Sequence, residues 1–173
     1  IVGLLDTGVN PDHPSFAAVD GDGYRHTNPF GPGTYVGVCD PAHPQHEDIC
    51  NDKLIGAWNF ALFSSSAVDD NGHGSHVAST MAGNRHEAVF TVGNDQYTRT
   101  IQGVAPRANI ISYRVCDPSC FTSATVAAVE QAITDGVDVL NFSISGPDNP
   151  WGNIVDQAFL EAFAAGVFIA ASA

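Results

Sequence analysis

An aspartate and a histidine, far apart in the chain, have the surroundings that acid-base chemistry requires. Asp6 follows directly on the apolar run 1–5 and is followed by threonine and glycine. His73 stands between two glycines in the run 71–77, Asn-Gly-His-Gly-Ser-His-Val. A carboxylate that fixes the tautomer of a histidine and stabilises its protonated form makes that histidine a general base. The two motifs therefore predict two members of a serine-hydrolase triad.

The third member of such a triad is not evident. No serine of the chain has a sequence context typical of a nucleophile. The chain also begins in one apolar run and reaches its end in another, 167–171, whereas domains usually begin and end in exposed polar segments. We therefore expect residues 1–173 to be the N-terminal portion of one catalytic domain, inactive alone, whose nucleophile lies elsewhere in the protein.

Composition narrows the classes of partner. The chain is 44% hydrophobic and 14% charged, and no apolar stretch approaches the roughly 20 residues of a membrane span. Six Lys and Arg against nineteen Asp and Glu give a net charge of −13, which repels nucleic acid and anionic lipid. We expect neither a nucleic-acid partner nor a membrane span.

The four cysteines favour an oxidising compartment. Their spacing suggests one bridge between Cys39 and Cys50 and another between Cys116 and Cys120, although four cysteines allow three connectivities. Free thiols in a cytosolic protein are one alternative. A zinc site is a weaker one, because neither pair has the two-residue gap of a zinc knuckle.

Apolar runs and helical periodicity alternate along the chain. The patterns predict strands over 1–5, 53–60, 108–115, 137–143 and 167–171, and helices over 73–82, 122–135 and 154–163. Segment 7–70, apart from the apolar island 53–60, and segment 84–103 are rich in turn-forming residues and are predicted to be surface loops. We expect Gly83 to end the first helix in the left-handed conformation, and Thr122 or Ser123 to cap the second. Continuously apolar strands joined by helices indicate an α/β fold, a parallel sheet with helices on both faces.

Other interpretations of the polar residues stay open. The Asp-Thr-Gly turn can be a simple turn or cap. His73 and His76 are three residues apart, a spacing that places two metal ligands on about the same face of a helix. For His76 a core histidine is the favoured interpretation. Residues 20–23, Asp-Gly-Asp-Gly, lack the later ligands of a calcium loop and are predicted to be a solvated turn. We expect no cofactor for the chemistry and no metal at the site. The sequence does not support a structural calcium ion, although one is compatible with it.

Taken together, four segments in order resemble the subtilisin-like serine proteases, the subtilases of peptidase family S8. Residues 2–9 look like the aspartate motif of that family and residues 72–78 like its histidine motif. Residues 103–106 match the segment that enters a core strand in the family, and residues 135–140 match the segment that precedes its substrate-binding edge. The resemblance implies a serine endopeptidase with an Asp/His/Ser triad. In it, Asp6 orients the histidine and His73 is the general base.

A fifth segment resembles the substrate-binding edge of that family. Ser143, Ile144, Ser145 and Gly146 look like its Ser-Leu-Gly-Gly stretch, whose backbone pairs with the extended substrate. Ser145 stands where the family usually has glycine, so no side-chain preference of the substrate pocket is inferred. The asparagine that donates to the oxyanion in the family is absent from the chain.

Residues 50–57 and 113–116 are similar to the large secreted, cucumisin-like subtilases. That resemblance implies an extracellular protein that acts on polypeptide substrates. It also implies an inhibitory propeptide upstream and a protease-associated domain downstream.

Two rival functions remain. Asp-Thr-Gly is also the signature of aspartic proteases, but those enzymes are all-β and need a second such aspartate, which the chain lacks. A non-catalytic subtilase-like binding or scaffold module is the other rival, and only the nucleophilic serine distinguishes it from an enzyme.

Overall fold

The computed structural model describes residues 1–145 and 152–172. A short 3₁₀ helix, Pro14–Phe16, lies in the first long loop. The other elements, in chain order, are β1 (Val2–Asp6), β2 (Val36–Gly37), β3 (Leu54–Asn59), α1 (His73–Ala82), β4 (His86–Val92), β5 (Asp95–Ile101), β6 (Ile110–Arg114), α2 (Thr122–Thr134), β7 (Val139–Phe142), α3 (Ile154–Ala164) and β8 (Phe168–Ala171).

Six strands form one sheet in the order β2-β3-β6-β1-β7-β8, and every neighbouring pair in it is parallel. The remaining strands, β4 and β5, form a separate antiparallel hairpin. Each strand and helix predicted from the sequence is present, with boundaries that differ by a few residues. The α/β class with a parallel sheet is thus confirmed.

The central strand β1 carries the core on both of its faces. Val2 and Leu4 pack against α1 on one face, whereas Leu5 faces the cluster that includes α2 and α3. Leu4 and Leu5 are fully buried, and burying a leucine side chain stabilises a fold by about 1.5–3 kcal/mol. Because side chains alternate along β1, each face of the sheet has an apolar surface against which helices pack.

The prediction that 84–103 is a loop was wrong, because β4 and β5 pair along their whole length as a hairpin. Every residue of the two strands is at least partly exposed, so the hairpin has no buried apolar face and no strong alternation of apolar residues. Gly93, with φ +64°, makes its tight turn. The Gly93-Asn94 pair was the available hairpin signal.

Two predicted helix ends also differ from the structure. Gly83 ends α1 with φ −59°, not in the left-handed region. A glycine is required there for close approach, because a Cβ atom would lie 2.5 Å from the carbonyl oxygen of Ser79. Helix α2 begins at Thr122 itself and has Phe121 as its N-cap, whose side chain has no acceptor and makes no capping bond.

Both predicted disulfides are present, Cys39–Cys50 and Cys116–Cys120. The first closes a loop beside β2 and β3, and the second closes the turn between β6 and α2. Among the described helices, none combines the length and the apolar character that a membrane crossing requires.

Lys53, the only lysine of the chain, is fully buried beside β3. Its Nζ donates to the carbonyl oxygens of Pro106 at 2.8 Å and Ala108 at 2.6 Å. Within residues 1–145 and 152–172, no carboxylate lies within ion-pair distance of it. Burial lowers the pKa of Lys53 to about 8, although the charge of Asp20 partly opposes this.

This burial predicts that the chain becomes more stable as the pH rises above 8. The unfolded lysine keeps its proton up to its ordinary pKa near 10.4, so from pH 8 upward the unfolded state binds more protons than the folded state. We expect the free energy of unfolding to increase by on the order of 1–2 kcal/mol between pH 8 and 9.5. Above that window the effect reverses, because burial and the Asp135 charge raise the pKa of Tyr113 in the folded state only.

Urea unfolding at several pH values, followed by tryptophan fluorescence, measures this slope. The Lys53→Met variant is the matched comparison, because it keeps the length of the side chain and removes the titrating group. The variant should lose the rise between pH 8 and 9.5. An equal rise in both proteins would show that another group causes it.

Candidate active site

Asp6 is the last residue of β1 and lies at the carboxyl end of the parallel sheet, where ligands bind in open α/β folds. Its side chain is fully buried. Oδ1 accepts from the backbone N–H of Thr7 at 2.7 Å. Oδ2 has no hydrogen-bond partner in the described part of the chain. A buried carboxylate oxygen without a partner is rare in folded proteins and is typical of functional sites.

His73 is the first residue of α1, and its side chain is 49% exposed. Its Nδ1 lies 2.7 Å from Oδ1 of Asp6, although the two residues are 67 positions apart. Because a carboxylate only accepts, Nδ1 carries the proton and Nε2 is left as the basic nitrogen. The structure therefore brings the two predicted residues together in the arrangement of a general base and the acid that orients it.

Two glycines allow α1 to approach the turn that follows Asp6. A Cβ atom on Gly74 would lie 2.2 Å from the carbonyl oxygen of Gly8, a distance at which the backbones would have to separate. Gly8 itself has φ +106°, a conformation that favours glycine. Gly8 and Gly74, one from each motif, are thus explained by the conformation of this turn and by its contact with α1.

The start of α1 is capped by residues outside the helix. Its N-cap, Gly72, has no side chain, so the first free N–H groups need other acceptors. The N–H of His73 donates to Oδ1 of Asn71, that of Gly74 to Oγ1 of Thr7, and that of Ser75 to Oδ2 of Asp69. The helix that carries His73 is therefore capped in part by the residue next to Asp6.

Asp69 is a site residue that sequence analysis missed. Burial alone would raise the pKa of Asp69, but hydrogen bonds from Ser75, Gly72 and Thr7 outweigh burial and lower it. The carboxylate is therefore ionised at neutral pH. The available signal was the run 69–72, Asp-Asp-Asn-Gly, whose residue types are those that precede helices.

Arg114 was missed as well. It lies beside Asp6 in the register of β6 and is almost fully buried. Its guanidinium donates to the carbonyl oxygen of Val68, and it forms ion pairs with Asp70 at 2.8 Å and Asp117 at 3.2 Å. It thus holds the segment that leads into α1. A charged residue at the end of an apolar strand was the only signal.

The predicted substrate-binding residues follow β7, which is hydrogen-bonded to β1. Ser143 is half-buried, and its Oγ accepts from Nδ2 of Asn141 at 2.9 Å. Ile144 packs against the main core cluster, and Ser145 is exposed. These three residues lie at the same edge of the sheet as Asp6. Gly146 lies outside the described residues.

The metal interpretation of His73 and His76 finds no support in the geometry. Nδ1 of His73 is engaged by Asp6, and no cluster of three or more potential ligand residues occurs within the described ranges. His76 is exposed, so its interpretation as a core histidine was wrong. Residues 20–23 form a turn as predicted, in which Oδ1 of Asp20 accepts from the N–H groups of Asp22 and Tyr24.

Known proteins resemble the chain over its whole length. The sequence profile of the Subtilase family, peptidase S8, matches residues 1–173. The Arabidopsis thaliana protein named subtilisin-like protease SBT2.3 is 39% identical over all of the chain, and SBT2.4 is 40% identical over 98% of it. The chain spans 22% of the length of each of these relatives.

A solved structure has the same fold. A cold-adapted subtilisin-like serine proteinase superposes with a TM-score of 0.58 at 25% identity, over 98% of this chain and 44% of its own. The parallel sheet excludes the all-β aspartic proteases. The family profile, the relatives and the fold agree with the motifs around Asp6 and His73, and the chain belongs to the subtilase family.

Proposed function

We propose that the chain supplies the acid and the base of a serine endopeptidase, and that the nucleophilic serine lies in a part of the protein outside residues 1–173. The observation that carries this proposal is the 2.7 Å contact between Nδ1 of His73 and Oδ1 of Asp6. Nε2 of His73 has no hydrogen-bond partner among the described residues, which leaves it free to receive a proton. The relatives, whose names describe proteases, are more than four times as long as the chain.

In the proposed reaction, Nε2 of His73 takes the proton of the attacking serine as the hydroxyl oxygen adds to the scissile carbonyl carbon. His73 then returns that proton to the leaving amine as the peptide C–N bond breaks, and a water molecule activated by His73 hydrolyses the acyl-serine that remains. Buried Asp6 keeps Nδ1 protonated and stabilises the imidazolium that forms between these steps. The chemistry requires no cofactor, because His73 performs every proton transfer and Asp6 holds it in the required tautomer. The oxyanion is held by donors outside the chain.

Residues 143–146 are proposed to bind the polypeptide substrate. Ser143, Ile144 and Ser145 directly follow β7 at the edge of the sheet where Asp6 ends β1. An extended substrate that pairs with this backbone would be held by main-chain hydrogen bonds. Its scissile bond would then lie near the exposed face of His73.

Further parts of the proposal concern the protein in which the chain acts. Two disulfides favour an oxidising, extracellular location. An inhibitory propeptide upstream and a protease-associated domain downstream are proposed from the resemblance to cucumisin-like members. We propose no nucleic-acid partner, in keeping with the net charge of −13.

A fluorophosphonate probe, which forms a covalent adduct with an activated serine, tests the proposal. We expect the full-length protein, here and below the protein after removal of the proposed propeptide, to be labelled stoichiometrically, because His73 activates its serine. We expect purified residues 1–173 to remain unlabelled, because the nucleophile is proposed to lie outside them. Mass spectrometry of the intact proteins and of their peptides gives the stoichiometry and the labelled residue.

Circular dichroism of the purified chain is the control, since an unfolded chain would stay unlabelled for a trivial reason. An adduct on a serine of residues 1–173 would contradict the proposed position of the nucleophile. A folded full-length protein that takes no label after removal of the proposed propeptide would instead be a non-catalytic binding or scaffold module.

A further inference from the structure

Asp69 accepts five hydrogen bonds, which saturate both of its carboxylate oxygens. Oδ1 accepts from Oγ1 of Thr7 at 2.9 Å and from the N–H groups of Asn71 and Gly72, both at 3.0 Å. Oδ2 accepts from Ser75, from its N–H at 2.9 Å and from its Oγ at 2.6 Å. The two oxygens of a carboxylate offer about four lone-pair sites, so no acceptor capacity is left for solvent or substrate.

The five donors come from both motifs of the site. Thr7 is the neighbour of Asp6, and Gly72 and Ser75 stand on either side of His73 along the chain. Oγ1 of Thr7 also accepts from the N–H of Gly74 at 2.9 Å, so one hydroxyl links Asp69 to the first turn of α1. Asp69 is therefore the residue at which the turn after β1 and the start of α1 are joined.

We infer that Asp69 is a positioning residue, an anionic clamp that sets the ring of His73 against Asp6. This inference rests on the proposed function, because it assigns Asp69 a role in the same proton transfer. A shift of about 1 Å in a reacting group lowers turnover by about 10²-fold, so the clamp matters even though Asp69 touches no substrate. A carboxylate at the start of α1 also interacts favourably with the helix dipole.

An asparagine side chain cannot replace the carboxylate of Asp69 in either orientation of its amide. If the amide nitrogen takes the place of Oδ1, it faces the N–H groups of Asn71 and Gly72. If it takes the place of Oδ2, it faces the N–H of Ser75. Backbone N–H groups cannot rotate away, whereas hydroxyl groups can. In either orientation of its amide, Asp69→Asn therefore places an NH₂ donor against at least one backbone N–H group. The size of the side chain stays the same.

The test compares Asp69→Asn with the wild type in the full-length protein. We expect kcat per active site, titrated to completion with the fluorophosphonate, to fall about 10- to 100-fold with KM little changed. A residue that only stabilises the fold would lower the number of titratable sites and leave kcat per site unchanged. Asp12→Asn is the matched control, because its exposed carboxylate makes no hydrogen bond within the described ranges.

A pair of variants at Thr7 keeps the test decisive if Asp69→Asn does not fold. Thr7→Val keeps the shape of the side chain and removes the hydroxyl that bonds Asp69 and the N–H of Gly74. Thr7→Ser keeps that hydroxyl. We expect the valine variant to lose turnover per site as Asp69→Asn does, and the serine variant to retain it.

A spectroscopic measurement separates this inference from the proposed function. In protein labelled with ¹⁵N histidine, the Nδ1 proton of His73 bonded to Asp6 should give a resolved low-field signal, assigned with His73→Gln. We expect that signal to broaden through exchange with water in Asp69→Asn and Thr7→Val, and to persist in Thr7→Ser.

If the wild type takes no fluorophosphonate, the proposed function fails. The low-field signal of His73 in the wild type and in the Asp69 and Thr7 variants then tests the positioning role of Asp69 by itself. If the wild type is labelled but Asp69→Asn and Thr7→Val keep its kcat per site and its sharp signal, the inference is wrong and the proposed function stands.

Discussion

Replacing His73 with alanine in the full-length protein is expected to lower kcat for peptide hydrolysis about 10⁶-fold, the order of magnitude measured for this change in subtilisin itself. Nε2 is the basic nitrogen, because Nδ1 is engaged by Oδ1 of Asp6 at 2.7 Å. Without it, the proposed serine loses the base that takes its proton. KM should change little, because the imidazole acts on the reacting proton and not on the substrate backbone.

His76→Ala is the matched control for this variant. His76 lies one turn further along α1, is exposed, and its ring makes no hydrogen bond within the described residues. We expect His76→Ala to keep kcat close to that of the wild type. Steady-state hydrolysis of a chromogenic peptide measures both variants. More than about one per cent of wild-type turnover in a preparation of His73→Ala would assign the base to another residue.

The sheet and the helices were predictable because their signals are local. Strand β1 is a continuous apolar run, and α2 and α3 repeat apolar residues at helical spacing. A glycine with positive φ follows each of these two helices, Gly136 at +72° and Gly166 at +97°. Asp6 and His73 were recognisable because the residue types and glycines around them form two compact motifs.

The clamp around Asp69 was not predictable in the same way. Its five donors come from Thr7 and from residues 71–75, more than 60 positions apart. Their proximity is a consequence of the close approach of α1 to β1, which Gly74 permits. Nothing in the sequence around Asp69 indicates that Thr7 is its partner. Sequence motifs thus identify the reacting groups, whereas the residues that hold them depend on tertiary contacts.

Removing the carboxylate of Asp6 is expected to have the second largest effect. In the full-length protein, Asp6→Ala should lower kcat about 10⁴-fold, as removal of the corresponding aspartate does in subtilisin. His73 would lose the acceptor that keeps its proton on Nδ1 and the charge that stabilises the imidazolium. The measurement is the same steady-state hydrolysis of a chromogenic peptide, expressed per mole of folded protein.

Asp6→Asn then separates the charge of Asp6 from its orienting role. In this structure Oδ1 accepts both from the N–H of Thr7 and from Nδ1 of His73, while Oδ2 has no described partner. An asparagine whose amide oxygen replaces Oδ1 keeps both hydrogen bonds, and its amide nitrogen takes the place of Oδ2. The opposite orientation would set that nitrogen against the N–H of Thr7.

We therefore expect Asp6→Asn to keep the proton on Nδ1 of His73 and to lose less turnover than Asp6→Ala. The low-field ¹⁵N–¹H signal of His73 should persist in the asparagine variant and disappear in the alanine variant. Equal losses of turnover, with the signal absent from both, would mean that the amide nitrogen faces His73 and that the proton has moved to Nε2. That result would show that the N–H of Thr7 does not determine the orientation of the asparagine side chain at position 6.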